Sequence, residues 1–140
     1  MFHFDLLDIV AGIPGLIIAM VIHEYAHARV ADALGDPTPR MMGRLTLNPV
    51  AHIDPVGLIM LFLVRFGWAK PVIIDARHFR NPRRDDILVS LAGPAANLVT
   101  AFVTLVVLLA YHQMAGRPSL GAYQVLQLII IYNINFAIFN

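Results

Sequence analysis

Gly15-Leu16-Ile17-Ile18-Ala19-Met20-Val21-Ile22-His23-Glu24-Tyr25-Ala26-His27 is the stretch on which the reading of this chain turns. From Gly15 the pattern predicts a helix that stops at Gly35-Asp36-Pro37, a helix-ending signal. That is about 20 residues, or roughly 30 Å, enough to cross the hydrocarbon of a bilayer. Inside it lies H-E-x-x-H. On a helix, positions i and i+4 project from one face, so the imidazoles of His23 and His27 can reach one ion. Two neutral ring nitrogens suit zinc, and the carboxylate of Glu24 can take a proton from a zinc-activated water. The same pattern arises by accident on solvated helix faces. Here Glu24 is the sole glutamate of the chain and follows Ile17, Ile18, Met20, Val21 and Ile22. A charge near the bilayer centre costs about 2.5–3.5 kcal/mol on insertion scales. A bound metal would compensate for it.

The rest of the composition agrees with a lipid solvent. The chain has 140 residues, the size of one domain, with 59% hydrophobic and 14% charged residues. Its mean hydropathy is +0.71. A soluble globule of this size buries only about two-thirds of its unfolded surface and could not hide so much apolar area. A net charge of +1 in so apolar a chain excludes disorder and a nucleic-acid surface. With no cysteine, there is no disulfide scaffold, thiolate metal site or cysteine nucleophile.

Three spans are expected, at about 9–34, 87–111 and 122–139, in a single membrane-embedded core covering 1–140. Gly12, Pro14 and Gly15 interrupt the first, and the second carries no charge from Ile87 to Tyr111. With Asp5 and Asp8 and no basic region, the amino terminus does not read as a cleaved signal peptide. The apolar run at about 56–64, ending before Arg65, is too short to span and suits a re-entrant segment. Arg40 and Arg44 precede that run, while Lys70, Arg77, Arg80, Arg83 and Arg84 follow it. A crossing there would split the basic residues between two sides, against the positive-inside rule. The expected fold is therefore all-α, with the amino terminus outside and the carboxyl terminus inside. A short dipping segment with strand character joins the first two spans.

Several further motifs accompany H-E-x-x-H, in order and over nearly the whole chain. They are Gly43-Arg44-Leu45-Thr46-Leu47-Asn48-Pro49 through His52-Ile53-Asp54-Pro55, Gly67-Trp68-Ala69-Lys70-Pro71-Val72, and Phe79-Arg80-Asn81-Pro82-Arg83. Ala92-Gly93-Pro94-Ala95-Ala96-Asn97 and Asn133 with Phe136-Ala137 and Phe139-Asn140 complete the set. Together they resemble the site-2 protease family, the intramembrane zinc metalloproteases of peptidase family M50. The resemblance implies zinc held by His23 and His27, Glu24 as catalytic base, and Asn97 in contact with substrate or the active-site cleft. It also implies a third ligand, an aspartate of an L-D-G motif, that would lie just beyond Asn140. Within the chain, Asp54 and His52 are the candidate substitutes for that ligand. Asp54 and Asn48, each beside a proline, equally suit turn stabilisation.

The remaining polar residues have simpler readings. Asp75, Asp85 and Asp86 read as solvated surface, and His3, His78 and His112 as ordinary polar residues. Asn97 could instead glue helices, as could Asn133, Asn135 and Asn140. Arg44 to Leu47 and Pro71 to Asp75 have the extended, β-branched character of strands that could pair with an unwound substrate, and plain connecting loop is the alternative.

The expected activity is zinc-dependent endopeptidase cleavage of transmembrane segments of other proteins. The expected location is the cell membrane, with the site toward the cytoplasm; an oligomer is compatible with an unfinished site. Three alternatives stay open: a zinc- or partner-binding membrane protein without catalysis, a metal-ion transporter, and a structural bundle with a chance motif.

Overall fold

In a computed structural model of the chain, residues 6–64 and 67–139 are described. His3, Arg65 and Asn140, each given a role above, lie outside them. In order, the elements are α1 (Leu6–Ala33), α2 (Thr38–Met41), a 3-10 turn (Pro49–His52), α3 (Pro55–Val64), a 3-10 turn (Ala76–His78), α4 (Pro82–Ala115) and α5 (Leu120–Ile138). Among the described residues, three helices are long and apolar enough to cross a membrane: Leu7–Ala33, Pro82–Ala115 and Leu120–Ile138. The chain clusters into two compact units. One is Met20–Gly93, and the other joins Met1–Ala19 to Pro94–Asn140.

In the second of these units, α1 starts at Leu6 rather than at Gly15, with Pro14 inside the helix. Proline removes one helix hydrogen bond, which membrane helices tolerate when neighbours restore the packing. Here the glycines flanking Pro14 let α5 come close. A Cβ on Gly15 would stand 3.0 Å from the backbone of Leu128 and Ile129, and one on Gly12 would meet the Tyr132 hydroxyl at 3.1 Å. Asn97 and Asn133 are fully buried. The Asn97 amide donates to Ala19 O at 2.9 Å and to Asn133 Oδ1 at 2.8 Å, and Asn133 donates to Ile129 O at 2.9 Å. Leu98, Val99, Phe102, Val106 and Leu109 of α4 are exposed, as suits side chains whose solvent is lipid.

In the Met20–Gly93 unit, α1 ends in a left-handed glycine motif. Gly35 has φ +105°, its N–H bonds Asp32 O at 3.2 Å, and Asp36 N bonds Ala31 O at 3.0 Å, which satisfies the last carbonyls. Ala31, Phe79 and Val89 form the buried core, with Val30, Leu34, Ile74 and Ala76 packed against it. α3 is a 10-residue apolar helix with Val56, Ile59 and Leu63 exposed, too short to span.

Three expectations change. α4 begins at Pro82, five residues before the uncharged run, because its first turn is capped. Arg84 N donates to Asn81 Oδ1 and Asn81 N to Asp85 Oδ2, both at 3.2 Å, a reciprocal cap. Asp85 is accordingly buried, 1% exposed, and is not the solvated surface residue expected. The expected strands do not form among the described residues; the one pairing is an isolated bridge between Ile53 and Ala69. The reason is visible in Pro71–Asp75. Pro71 has no N–H to give to a ladder, and those of Val72 and Asp75 go to the carboxylates of Glu24 and Asp36.

Candidate metal centre

α1 presents His23 and His27 on one face. His23 is buried, 1% exposed, and the Nε2 atoms of the two rings lie 2.9 Å apart. The rings stand nearly perpendicular, at 80°. His27 Nδ1 is 2.7 Å from the carbonyl of Val89 on α4. A carbonyl only accepts, so Nδ1 carries a proton, and in the neutral ring Nε2 is left with a lone pair, the state that binds a metal. Two tetrahedral zinc ligands place their nitrogens about 3.3 Å apart, so this pair would open by roughly half an ångström. Without an ion, a proton on His23 Nε2 makes the same contact a hydrogen bond.

The space in front of both nitrogens is bordered by Gly93 of α4. A Cβ there would lie 2.5 Å from His27 Nε2 and 2.6 Å from His23 Nε2. A hydrogen in place of a side chain thus keeps open the volume that an ion would take. Glu24, between the histidines, is held by the Val72 N–H, which donates to Oε2 at 3.2 Å. His27, His52 and Arg44 are among the titratable groups near its carboxylate. The residues therefore fit a metal in donor type, protonation and space, and supply two of its ligands.

No third His, Cys, Asp or Glu joins the pair among the described residues. Asp54 is instead the cap of α3, accepting from Gly57 N at 2.8 Å. Asn48 likewise caps the Pro49–His52 turn by accepting from Val50 N at 3.1 Å. His52 is fully buried but stands outside any such ligand group. The Asn97 amide is engaged in the helix-to-helix bonds described for its own unit. Gly93, Val72 N and Val89 O were not foreseen as parts of the site. The only signal for any of them was the glycine of Ala92-Gly93-Pro94, because backbone groups carry no residue-type signature.

The segment bearing Val72 is anchored by Asp36. Its buried carboxylate accepts from Thr38 N at 3.0 Å and Asp75 N at 2.7 Å, with His78 Nδ1 at 3.5 Å. Burial pushes the Asp36 carboxyl up, but the hydrogen bonds from Thr38 and Asp75 outweigh it and leave the group below its ordinary value. Hydrogen bonds from Arg77 hold Asp75 at about 2. Both carboxyls are depressed by folding, so their stabilisation is complete above pH ~4, the usual carboxylate value. It fades as the pH falls through the folded values. In Asp36→Asn the amide can accept from one of the two N–H donors but not both, at a cost of about 2 kcal/mol. We expect a lower melting temperature, faster proteolysis within residues 70–80, and a weaker loss of stability on acidification below pH ~4 than in the wild type.

Sequence comparisons agree with this chemistry. The chain is 41% identical over 129 residues to a protein of Bacillus subtilis (strain 168) named putative zinc metalloprotease YwhC, covering 89% of the chain and 59% of that protein. It is 35% identical over 129 residues to one of Mycolicibacterium smegmatis named putative zinc metalloprotease Rip2, covering 84% of the chain and 49% of that protein. A Mycobacterium tuberculosis (H37Rv) protein of the same name is 36% identical over 99 residues, 66% of the chain and 38% of that protein. The chain thus spans between about two-fifths and three-fifths of these relatives. No family model matches the chain, and no solved structure matches it.

Proposed function

We propose that this chain is the core of an intramembrane zinc endopeptidase of the site-2 protease type, which cuts transmembrane segments of other proteins. The observation that carries the reading is the lone pair of His27 Nε2, 2.9 Å from His23 Nε2, with a glycine clearing the space before them. The names of the relatives and the apolar setting of α1 support it. In this reading the third ligand is the aspartate that the family resemblance places beyond Asn140.

Zinc, when bound, polarises the scissile carbonyl and brings the pKa of its water to about 7. Glu24, in hydrogen-bond reach of Val72 N, accepts the proton of the attacking water and returns it to the leaving amine nitrogen. The Val72 N–H keeps the carboxylate turned toward this task. A substrate helix must unwind to expose its peptide bond, since its own hydrogen bonds shield it. α3, apolar and exposed, dips into the membrane from the basic, cytoplasmic side, and the loops around it give water its route to the site. Asn97, if it meets substrate, does so beside its bonds to Ala19 and Asn133.

The test uses the full-length protein reconstituted in lipid with a transmembrane substrate. Cleavage that a chelator abolishes and zinc restores supports the reading. Stoichiometric zinc without cleavage favours a non-catalytic zinc-binding protein, the alternative to which the two-ligand set points. Absence of bound metal overturns both.

A further inference from the structure

His52 lies outside the ligand set, yet its surroundings tie it to Glu24. It ends the 3-10 turn Pro49–His52 and is fully buried. Its Nε2 is 2.8 Å from Thr46 O. That oxygen only accepts, so Nε2 carries a proton, and in the neutral ring Nδ1 presents a bare lone pair. Nδ1 has no hydrogen-bond partner, the one buried side-chain nitrogen or oxygen in that condition among the described residues. Leaving a buried acceptor unpaired is costly, and native proteins commonly answer the cost with an ordered water.

The neighbours say where such a water belongs. His52 O accepts from Lys70 N at 2.9 Å, and the next residue, Ile53, bridges Ala69. Two residues beyond Lys70, Val72 N donates to Glu24 Oε2. One short run of backbone thus bonds the His52 carbonyl through the Lys70 N–H and the Glu24 carboxylate through the Val72 N–H. His52 and Arg44 are among the titratable groups near the Glu24 carboxylate, and buried Arg44 is itself bonded through Nη1 to Ala51 O, next to His52. A bare imidazole nitrogen and a carboxylate are both acceptors and cannot bond each other. A molecule with two O–H donors satisfies both.

We propose that His52 is a positioning residue for Glu24, acting through a buried water that donates one hydrogen to His52 Nδ1 and the other to the Glu24 carboxylate. The proposal rests on the protease reading for its functional consequence, but the water does not. Together with the Val72 N–H, it holds the carboxylate turned toward the reacting water.

Two substitutions in the full-length protein separate this role from a structural one. Gln at this position reaches the place of Nε2 and can keep the bond to Thr46 O, but has no acceptor at Nδ1. Asn carries its oxygen near the place of Nδ1 and cannot reach Thr46 O. We expect His52→Gln to retain fold and zinc while kcat falls about ten- to a hundredfold, the usual range for partners that orient a metal site's groups, with KM unchanged. His52→Asn should keep kcat within about threefold and lose melting temperature instead, as one hydrogen bond is removed. Full kcat in His52→Gln, or the opposite ranking of the two variants, overturns the proposal. A second readout needs no turnover. In protein labelled with 15N-histidine, the His52 Nδ1 resonance should be that of an unprotonated nitrogen accepting a hydrogen bond. A protonated Nδ1, or a bare one without a bond, also overturns it. A wild-type protein that binds zinc but cleaves nothing removes the protease reading, and the resonance then decides the water by itself.

Discussion

On the protease reading proposed above, Glu24→Gln in the full-length protein is expected to lower peptide cleavage by about 10²–10⁴-fold, the range that general acid–base catalysis contributes, and to leave bound zinc unchanged. The substitution is nearly isosteric. Its amide oxygen can still accept from Val72 N, the bond that Glu24 Oε2 makes at 3.2 Å, so the 70–80 segment keeps its place. His23 and His27, with the Val89 bond that sets the His27 tautomer, are untouched. What disappears is a group able to take a proton at neutral pH. The measurement pairs single-turnover cleavage with metal analysis of the same sample. Equal rates for variant and wild type would end the assignment of Glu24 as base, whereas loss of zinc together with activity would show a structural role instead.

Gly93→Ala is expected to reduce zinc affinity by more than about 100-fold, beyond the range seen when an outer partner of a metal ligand is lost. The reason is steric and local. The new methyl would sit 2.5 Å from His27 Nε2 and 2.6 Å from both Nε2 and Cε1 of His23, distances at which something must move. The rings can turn away only by giving up their facing arrangement, and the His27–Val89 bond with it. Alanine is a better helix former than glycine, so α4 itself has no reason to melt. Gly121→Ala is the control, since nothing lies within 4 Å of the Cβ it would add. Zinc titration and circular dichroism of the two variants should show unchanged helix in both and lost metal only in the first. Normal zinc binding by Gly93→Ala would mean that the ion does not occupy the space between the histidines and α4.

The pattern of helices long and apolar enough to cross a membrane was legible residue by residue. The uncharged run from Ile87 to Tyr111 is a transfer energy written along the chain, and α4 contains it. Its extra turn at Pro82 was not legible, because Asn81 and Asp85 extend it by capping, and hydropathy scores a buried cap as a charge. Pro14 misled in the same way. As a lone residue it reads as a break, and only the approach of α5 to Gly12 and Gly15 shows that the helix continues through it. The strands expected at Arg44–Leu47 and Pro71–Asp75 failed because β-branched side chains state a preference but not a partner.

At the candidate site the division is sharper. His23, Glu24 and His27 declare themselves through type and spacing, since the 3.6-residue period places i and i+4 together whatever the remainder of the chain does. Side-chain chemistry and helical period are local properties, so the sequence alone determined the long apolar helices and the facing of His23 and His27. Which nitrogen of His27 keeps its proton, what turns Glu24, and where a volume stays empty depend on a carbonyl at Val89, an N–H at Val72 and a missing Cβ at Gly93. Every residue, or none, offers such groups to a sequence reader. Only the tertiary structure, by bringing α4 and the 67–81 segment against α1, decided which of them the site uses.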